Sequence, residues 1–279
     1  MLKQRVITGL VLAISFLTAL FALPALGFIS LMAVVLAYAA WEWSHLAGLE
    51  SPAVRGLYML VVVAIGGALA TYLGYEQDIL LAEKPRFLLL IACTWWAIAI
   101  LWVQSYPSSA ILWGRRWICL LMGLLVLLPM GLAIAGLMSL AEGPTLVLAV
   151  VLLVALADIG GYFVGRAIGR TKLAPKVSPG KTWEGLLGGQ LAIIIVVAAS
   201  AWFMDVELPR LGLWLALAMV TGLASVLGDL LESMIKRQRG VKDSGTILPG
   251  HGGVLDRIDG LTAALPVFSL VLSLLYHRL

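Results

Sequence analysis

The chain contains 279 residues, of which 62% are hydrophobic and only 12% are charged, and its formal net charge is +4. Soluble domains are roughly one quarter charged, so this composition, with a mean hydropathy of +1.03, excludes a water-soluble globular fold and indicates an integral membrane protein. The two cysteines, Cys93 and Cys119, lie in or beside apolar runs. Their spacing excludes a disulfide framework and a zinc site.

Uncharged runs long enough to cross a bilayer recur along the chain. A hydrocarbon core needs roughly 20 apolar residues per helix. The sequence lacks the alternation of apolar and polar residues that is typical of barrel strands. We therefore predict an all-α fold, a polytopic integral membrane bundle of about nine transmembrane helices. In chain order, the predicted spans are residues 6–23, 25–41, 56–73, 87–103, 117–140, 145–164, 185–203, 211–230 and 261–276.

Basic residues indicate how these spans are oriented. Residues 1–5, MLKQR, precede an apolar run longer than the core of a signal peptide, so we expect a retained span. With nine spans, the N-terminus and the loops after spans two, four, six and eight share one side. All 19 Lys and Arg residues fall on that side except Lys84, Arg86, Arg210 and Arg278. The positive-inside rule then predicts that this side is cytoplasmic.

The distribution of charge divides the chain in two, although no linker separates domains. We predict that residues 1–150 are scaffold helices and that residues 151–279 form the catalytic region, with cytoplasmic loops at 165–184 and 231–260. Asp158 lies inside the sixth apolar run, where an ionised carboxylate is costly without a partner, so it is a candidate functional residue. Gly161, Gly165 and Gly169 recur at four-residue spacing, which predicts close helix packing.

A basic turn, KVSPGKTWEG, precedes the seventh span at residues 176–185. A Walker loop would require glycine at position 175, which is proline. Ser178, Lys181 and Thr182 instead lie just before an apolar helix, whose free N–H groups suit a phosphate. An ordinary capped loop is the alternative interpretation.

Residues 228–260 contain the densest set of polar side chains. Asp229 and Glu232 are one helical turn apart, and Asp256 and Asp259 repeat that spacing. A few carboxylates, with water and phosphate completing the shell, are what Mg²⁺ bound to a nucleotide requires. Each residue alone has an ordinary explanation, such as a helix-dipole partner or a snorkelling cation, but their concentration favours a site. The cations expected to neutralise phosphate oxygens are Lys181, Lys236, Arg237, Lys242 and Arg257.

The same stretch carries a long pattern of fixed residues. From Ser233 to Asp259 it has the form S-x-I-K-R-x4-K-D-x-G-x2-L-P-x-H-G-G-x2-D-R-I-D. This pattern resembles the signature of the phosphatidate cytidylyltransferases, also called CDP-diacylglycerol synthases. The SPGKTWEG turn and the run from Ala157 to Arg166 also look like features of that family. The resemblance covers residues 155–260, whereas the N-terminal half is similar only in being hydrophobic.

The resemblance implies an activity and its partners. It implies that CTP and phosphatidic acid condense to CDP-diacylglycerol and pyrophosphate in phospholipid biosynthesis. Mg²⁺ is the implied cofactor, with a second cation as an option. Membrane lipid is an implied partner, no nucleic acid is expected, and a homodimer in the inner membrane with its site facing the cytoplasm follows from the same resemblance.

We assign roles to the candidate residues on this basis. Asp229 and Asp256 are expected to hold cations that bridge the CTP phosphates, with Asp158 and Asp259 as further metal-ligand candidates. His251 is expected to donate to a phosphate oxygen. The predicted catalytic residues are Asp256, Asp229, Lys242, Arg257 and His251. The predicted substrate-binding residues are Ser178, Lys181, Thr182, Lys236, Arg237, Asp243, Gly252 and Gly253.

Two alternative functions stay open at this point. A CTP-dependent kinase of a lipid alcohol would transfer the γ-phosphoryl group, although full agreement with the signature weighs against it. A transporter could use Asp158 and the basic loops to bind an anion, but inverted repeats typical of transporters are not visible in the sequence.

Overall fold

The computed structural model describes the backbone of residues 2–278 and the side chains of residues 6–278, so the side chains of Lys3 and Arg5 lie outside the described part. Within residues 2–278, the fold comprises ten α-helices, two short 3-10 helices (Ile79–Leu81 and Tyr276–Arg278) and one two-stranded sheet. The α-helices and strands are α1 (Leu2–Ala22), α2 (Ala25–Leu46), α3 (Pro52–Leu73), α4 (Glu83–Gln104), α5 (Ala110–Trp113), α6 (Arg116–Met138), α7 (Gly143–Ile168), β1 (Lys172–Ala174), β2 (Ser178–Thr182), α8 (Trp183–Phe203), α9 (Leu208–Arg239) and α10 (Leu255–Leu275).

The polytopic helical prediction is confirmed. In the described part of the chain, eight helices are long and apolar enough to cross a membrane, and α1 adds a shorter apolar stretch, Val6–Ala22. The helices around the site exceed the predicted spans, because α9 continues to Arg239 and α10 begins at Leu255. The predicted loop 231–260 is therefore too long. A helix forms its own backbone hydrogen bonds and can continue past the apolar run, so it carries charged residues beyond the hydrocarbon.

The predicted loop 165–184 contains an antiparallel hairpin that the sequence did not indicate. Lys172 pairs with Thr182, and Ala174 pairs with Ser178. Thr182 ends β2 and caps α8, since its side chain accepts a hydrogen bond from the Gly185 N–H at 3.1 Å. The hairpin therefore fixes β2 against the first turn of α8.

Glycines allow α7 and α8 to pack at close range, which confirms the predicted packing role of the glycine series. A Cβ added at Gly161 would lie 3.5 Å from the Gly185 carbonyl oxygen, and one at Gly185 would lie 2.8 Å from the Gly161 carbonyl oxygen. One helical turn deeper, a Cβ at Gly189 would lie 2.5 Å from the Ala157 carbonyl oxygen. Small residues at such contacts let helix backbones approach each other in a membrane.

The segments after α2, α4, α7 and α9 meet at one end of the bundle, together with the first turns of α1. Hydrogen bonds and one ion pair join them across long sequence separations. These contacts link Thr8 to Pro249 at 3.3 Å, Arg239 to Glu50 at 3.2 Å, Tyr106 to Gln238 at 3.5 Å and Arg237 to Val177 at 3.2 Å. We call this end of the bundle the loop end. Its segments are those that the nine-span topology places on one side.

α10 lies in the interior of the bundle and brings its acidic first turns to the loop end. Its buried side chains include Ala264, Phe268 and Leu272, and it packs against α4, α6 and α9. Because neighbouring helices enclose this span, its N-terminal carboxylates lie inside the protein rather than at the lipid surface.

The close α7–α8 contact predicts that Gly189→Ala destabilises the protein. The added methyl group would overlap the Ala157 carbonyl, and overpacking of this kind costs about 1–3 kcal/mol. The midpoint of thermal denaturation in detergent should fall. Gly212→Ala is the matched control, because no atom lies within 4 Å of a Cβ there. Equal midpoints for the two variants would contradict the packing argument.

Candidate functional site

An acidic cluster at the loop end joins side chains from α7, α9 and α10 to the hairpin. The Lys181 ammonium lies 2.6 Å from an Asp229 carboxylate oxygen, and the Ser233 hydroxyl donates to the other oxygen at 3.0 Å. Asp158 interacts electrostatically with Lys181, Asp229 and Arg257. Residues that are 71 positions apart in sequence therefore share one polar environment.

A second ion pair joins α9 to α10. Lys236 is 8% exposed, and its ammonium lies 2.6 Å from Asp256 and 3.2 Å from Glu232. Glu232 is 2% exposed, and neither of its carboxylate oxygens accepts a hydrogen bond within the described residues. Lys236 was expected to bind the triphosphate, but the structure places its charge between two buried carboxylates.

Asp256 holds the loop between α9 and α10. One of its oxygens accepts hydrogen bonds from the Ser244 N–H at 2.8 Å, the Ser244 hydroxyl at 3.0 Å and the Gly253 N–H at 2.8 Å. Gly252 has φ of +79°, and a Cβ there would lie 2.6 Å from that oxygen. Only glycine allows this approach, so Gly252 serves the fold of the loop as well as any ligand.

Glu42 of α2 belongs to the same loop and was missed in the sequence. One of its oxygens accepts from the Val254 N–H at 3.1 Å, and the other accepts from the Leu255 N–H at 2.8 Å and the Ser244 hydroxyl at 3.1 Å. It is 2% exposed and satisfies free N–H groups at the start of α10. The sequence signal that could have identified Glu42 was a carboxylate at the end of an apolar run. It was missed because the predicted second span ended at Trp41, one residue earlier.

Other predicted residues lie around this cluster in different settings. The His251 imidazole lies against Gly9 of α1, and its Nδ1 is buried without a hydrogen-bond partner among the described residues. Arg237 donates to the Val177 carbonyl oxygen at 3.2 Å, so it ties α9 to the hairpin. Lys242, Asp243 and Arg257 are exposed to the outside of the protein, which leaves their side chains accessible to a soluble ligand.

The four carboxylates predicted as metal ligands are not gathered into one ready-made site. Among the described residues, no three His, Cys, Asp or Glu side chains are grouped closely enough to hold an ion. The charges nevertheless favour a cation. Glu232 interacts electrostatically with Asp256 and Asp259, and Asp229 interacts with Asp259. With Asp158, these carboxylates outnumber the nearby cations, which are Lys181, Lys236 and Arg257. Carboxylate oxygens are the type of ligand that Mg²⁺ takes, with water and phosphate completing its shell.

A cavity of about 350 Å³ lies beside the acidic cluster, between α7, the hairpin and α8. Lys181 and Asp158 belong both to the cavity wall and to the cluster. The other polar groups on the wall are Tyr162, Arg166, Ser178 and Thr182. The cavity therefore opens a space for a ligand next to the carboxylates.

The buried ion pair predicts that Lys236→Met lowers the free energy of unfolding by about 3–5 kcal/mol, because removing one partner leaves buried charges uncompensated. Arg239→Met is the matched control. Arg239 pairs with Glu50, whose side chain is 81% exposed, and such pairs contribute about 0–1 kcal/mol. Denaturation in detergent measures the free energy of unfolding of both variants. Equal losses in the two variants would show that the Lys236 ion pair contributes no more to stability than an exposed pair.

The hydrogen bonds of Glu42 predict that Glu42→Ala loosens the loop and the start of α10. Amide hydrogen exchange at residues 244–256 should become about tenfold faster, because each lost bond contributes roughly 1 kcal/mol. Mass spectrometry of peptides from this region measures the change. Glu50→Ala, at an exposed position, should leave that exchange unaltered. Unchanged protection in Glu42→Ala would show that the loop is held by other contacts.

A family profile and two known proteins match the chain over nearly its whole length, and a third protein matches about half of it. A profile described as the cytidylyltransferase family matches residues 3–275. A phosphatidate cytidylyltransferase of Pseudomonas aeruginosa is 46% identical over 274 residues, which cover 98% of this chain and 97% of that protein. A protein of the same name from Haemophilus influenzae is 40% identical over 287 residues, covering 96% and 98%. One from Staphylococcus aureus is 43% identical over 132 residues, covering 47% and 50%.

Proposed function

The chain belongs to the cytidylyltransferase family, and from this we propose that it is a phosphatidate cytidylyltransferase. It makes CDP-diacylglycerol from CTP and phosphatidate and releases pyrophosphate. The activity for which the full-length relatives are named supports this assignment. The structural observation that carries it is the contact between the acidic cluster and a cavity that is partly apolar, because the reaction joins a polar nucleotide to a membrane lipid.

The reaction requires positioning and charge neutralisation rather than a covalent enzyme intermediate. An oxygen of the phosphatidate phosphate bonds to the α-phosphorus of CTP. The bond from that phosphorus to the oxygen bridging to the β-phosphorus breaks, and pyrophosphate leaves with the electron pair. The phosphomonoester is largely ionised near neutral pH, so no base is needed to create the nucleophile. Phosphoryl chemistry of this kind depends on electrostatic stabilisation.

The contacts of each residue suggest its role in the proposed reaction. Lys181 lies at the boundary between the cavity and the cluster, where it neutralises the attacking phosphate. Lys242 and Arg257 are exposed beside the cluster and neutralise the triphosphate and the departing pyrophosphate. Lys236 acts through Asp256 and Glu232 by holding α9 against α10. The loop fixed by Asp256 brings Gly252 to the nucleotide. The Gly253 N–H, which was also predicted to bind it, instead donates to Asp256.

Mg²⁺ is the proposed cofactor. Because no three acidic side chains of the described residues are close enough to hold an ion by themselves, carboxylates among Asp229, Glu232 and Asp259 would hold it together with water and phosphate. Their carboxylates lie in the cluster, and Glu232 has buried oxygens without hydrogen-bond partners among the described residues. When bound, Mg²⁺ supplies positive charge to the phosphate oxygens of CTP. Asp158 and Asp256 stay in the proposed set as neighbours that orient the ligands. A second cation is compatible with the excess of carboxylates.

The loop end is proposed to face the cytoplasm, in the inner membrane. The positive-inside rule supports this orientation, because the segments of the loop end carry most of the Lys and Arg residues. CTP is a cytosolic nucleotide and phosphatidate lies in the bilayer, so a site at this end can reach both. The homodimer is proposed on the family resemblance alone.

Labelled CTP tests the proposed reaction. With purified protein, phosphatidate and Mg²⁺, the α-³²P label of CTP should enter lipid and the γ-³²P label should appear in pyrophosphate. Transfer of the γ label to lipid would instead show a kinase. Transport of an anion into proteoliposomes without turnover of CTP would also refute the proposal.

Asp229→Asn tests the acidic cluster and is expected to lower kcat at least about 100-fold, because it removes a negative charge that acts on the reacting phosphates through the cation. Mg²⁺ titration of the residual activity should give a weaker apparent affinity. Asp205→Asn is the control, since Asp205 lies at the opposite end of the bundle in the turn between α8 and α9. Near-normal kcat and Mg²⁺ dependence in Asp229→Asn would remove Asp229 from the site.

A further inference from the structure

We propose, on the basis of the proposed function, that the cavity beside Lys181 receives the headgroup of phosphatidate and that Arg166, positioned by Tyr162, recognises its phosphate. This assigns the lipid substrate to α7, the hairpin and α8. In this arrangement the nucleotide binds to the exposed cations Lys242 and Arg257 and to the glycine-containing loop between α9 and α10.

The walls of the cavity combine the two kinds of surface that an amphiphile requires. Lys181, Arg166 and Ser178 line its polar part, together with Asp158, Tyr162 and Thr182. Apolar side chains, including those of Ala157, Leu186 and Val226, line another part. A phosphate on a glycerol backbone with acyl chains matches such a wall, whereas a triphosphate would meet apolar surface without compensating contacts.

The surroundings of the cavity give a lipid a direct route from the bilayer. Ile159 and Phe163 of α7 are 55% and 66% exposed, and Leu187 of α8 is 66% exposed. These residues lie in helices that are long and apolar enough to span a membrane, so their exposed side chains face hydrocarbon. Gly161 and Gly165 form part of the wall on the α7 side.

Arg166 has a charge that the protein does not compensate. It lies in the last turn of α7, and its guanidinium donates to the Tyr162 hydroxyl at 2.8 Å, with the guanidinium carbon 6.0 Å from the ring centroid. Among the ion pairs of the described side chains, none includes Arg166. Tyr162 therefore orients a planar donor fork that can bind a phosphate through two parallel hydrogen bonds.

The arrangement also places the lipid phosphate correctly for the proposed reaction. Arg166 and Lys181 lie on the wall of one cavity, and the Lys181 ammonium contacts Asp229 at 2.6 Å. A phosphate held by both cations would have an oxygen directed toward the acidic cluster. Arg166 is thus a specificity residue for a phosphomonoester, whose unsubstituted oxygens can accept the fork.

The test separates the two substrates by their KM values. The purified full-length protein is assayed in mixed micelles, first with the mole fraction of phosphatidate varied and then with CTP varied. Arg166→Gln should raise the apparent KM for phosphatidate about tenfold or more, as expected for a lost charged hydrogen bond, with the KM for CTP within about twofold of the wild type. Tyr162→Phe should raise the phosphatidate KM by a smaller factor. Because the Tyr162 side chain is exposed, this substitution should leave the fold unchanged.

Two further variants test whether a rise in the phosphatidate KM comes from the Arg166 guanidinium group. Arg170→Gln removes a basic residue that is exposed in the loop after α7 and does not line the cavity, so both KM values should stay unchanged. Arg166→Lys keeps a cation that can reach lipid headgroups but removes the planar fork, and it should still raise the phosphatidate KM. Wild-type kinetics in Arg166→Lys would show that charge alone suffices and would overturn the proposal.

The remaining outcomes also decide the assignment. A rise in the KM for CTP alone would assign the cavity to the nucleotide, and an effect no larger than that of Arg170→Gln would remove Arg166 from substrate recognition. Binding of labelled phosphatidate to the protein in phosphatidylcholine nanodiscs, without CTP, should weaken in Arg166→Gln. If the wild type bound phosphatidate in this way but formed no CDP-diacylglycerol, the proposed function would fail while the lipid site would stand.

Discussion

The ion pair of Lys236 with Glu232 and Asp256 is the interaction on which the loop end depends. It lies where α9 meets α10, and all three side chains are nearly fully buried. Charges in such a place are costly unless each has a partner, because little water is present to solvate them. The three residues therefore have to stay together, and this requirement fixes the end of one helix against the start of the next.

Glu42 extends this constraint to the first half of the chain. Its carboxylate binds the N–H of Leu255, 213 residues away in sequence, and the hydroxyl of Ser244, which also contacts Asp256. The loop between α9 and α10 is therefore held from two sides by buried carboxylates. The sequence assigns residues 1–150 to the scaffold, but α2 supplies a side chain that shapes the candidate site. The two halves act as one structure at the loop end.

The arrangement of charge explains how a membrane protein can join a soluble nucleotide to a lipid. Carboxylates exceed nearby cations in the acidic cluster, which favours a bound cation and, through it, phosphate. A partly apolar cavity lies beside the cluster, and glycines of α7 and α8 form part of its wall. Lys181 belongs to both regions, so the two proposed substrates meet at one side chain.

The sequence alone determined the class of fold and the family, because hydrophobic runs report directly on the bilayer and the motif between Ser233 and Asp259 is long and specific. It also indicated that the helix carrying Gly161 and Gly165 packs closely against another helix, although not which one. Only the tertiary structure decided which carboxylates share partners. Lys236 lies between acidic groups, and Glu42 reaches the loop from α2. Pairing of buried charges depends on which helices are neighbours in space, and periodicity along one chain carries no information on that choice.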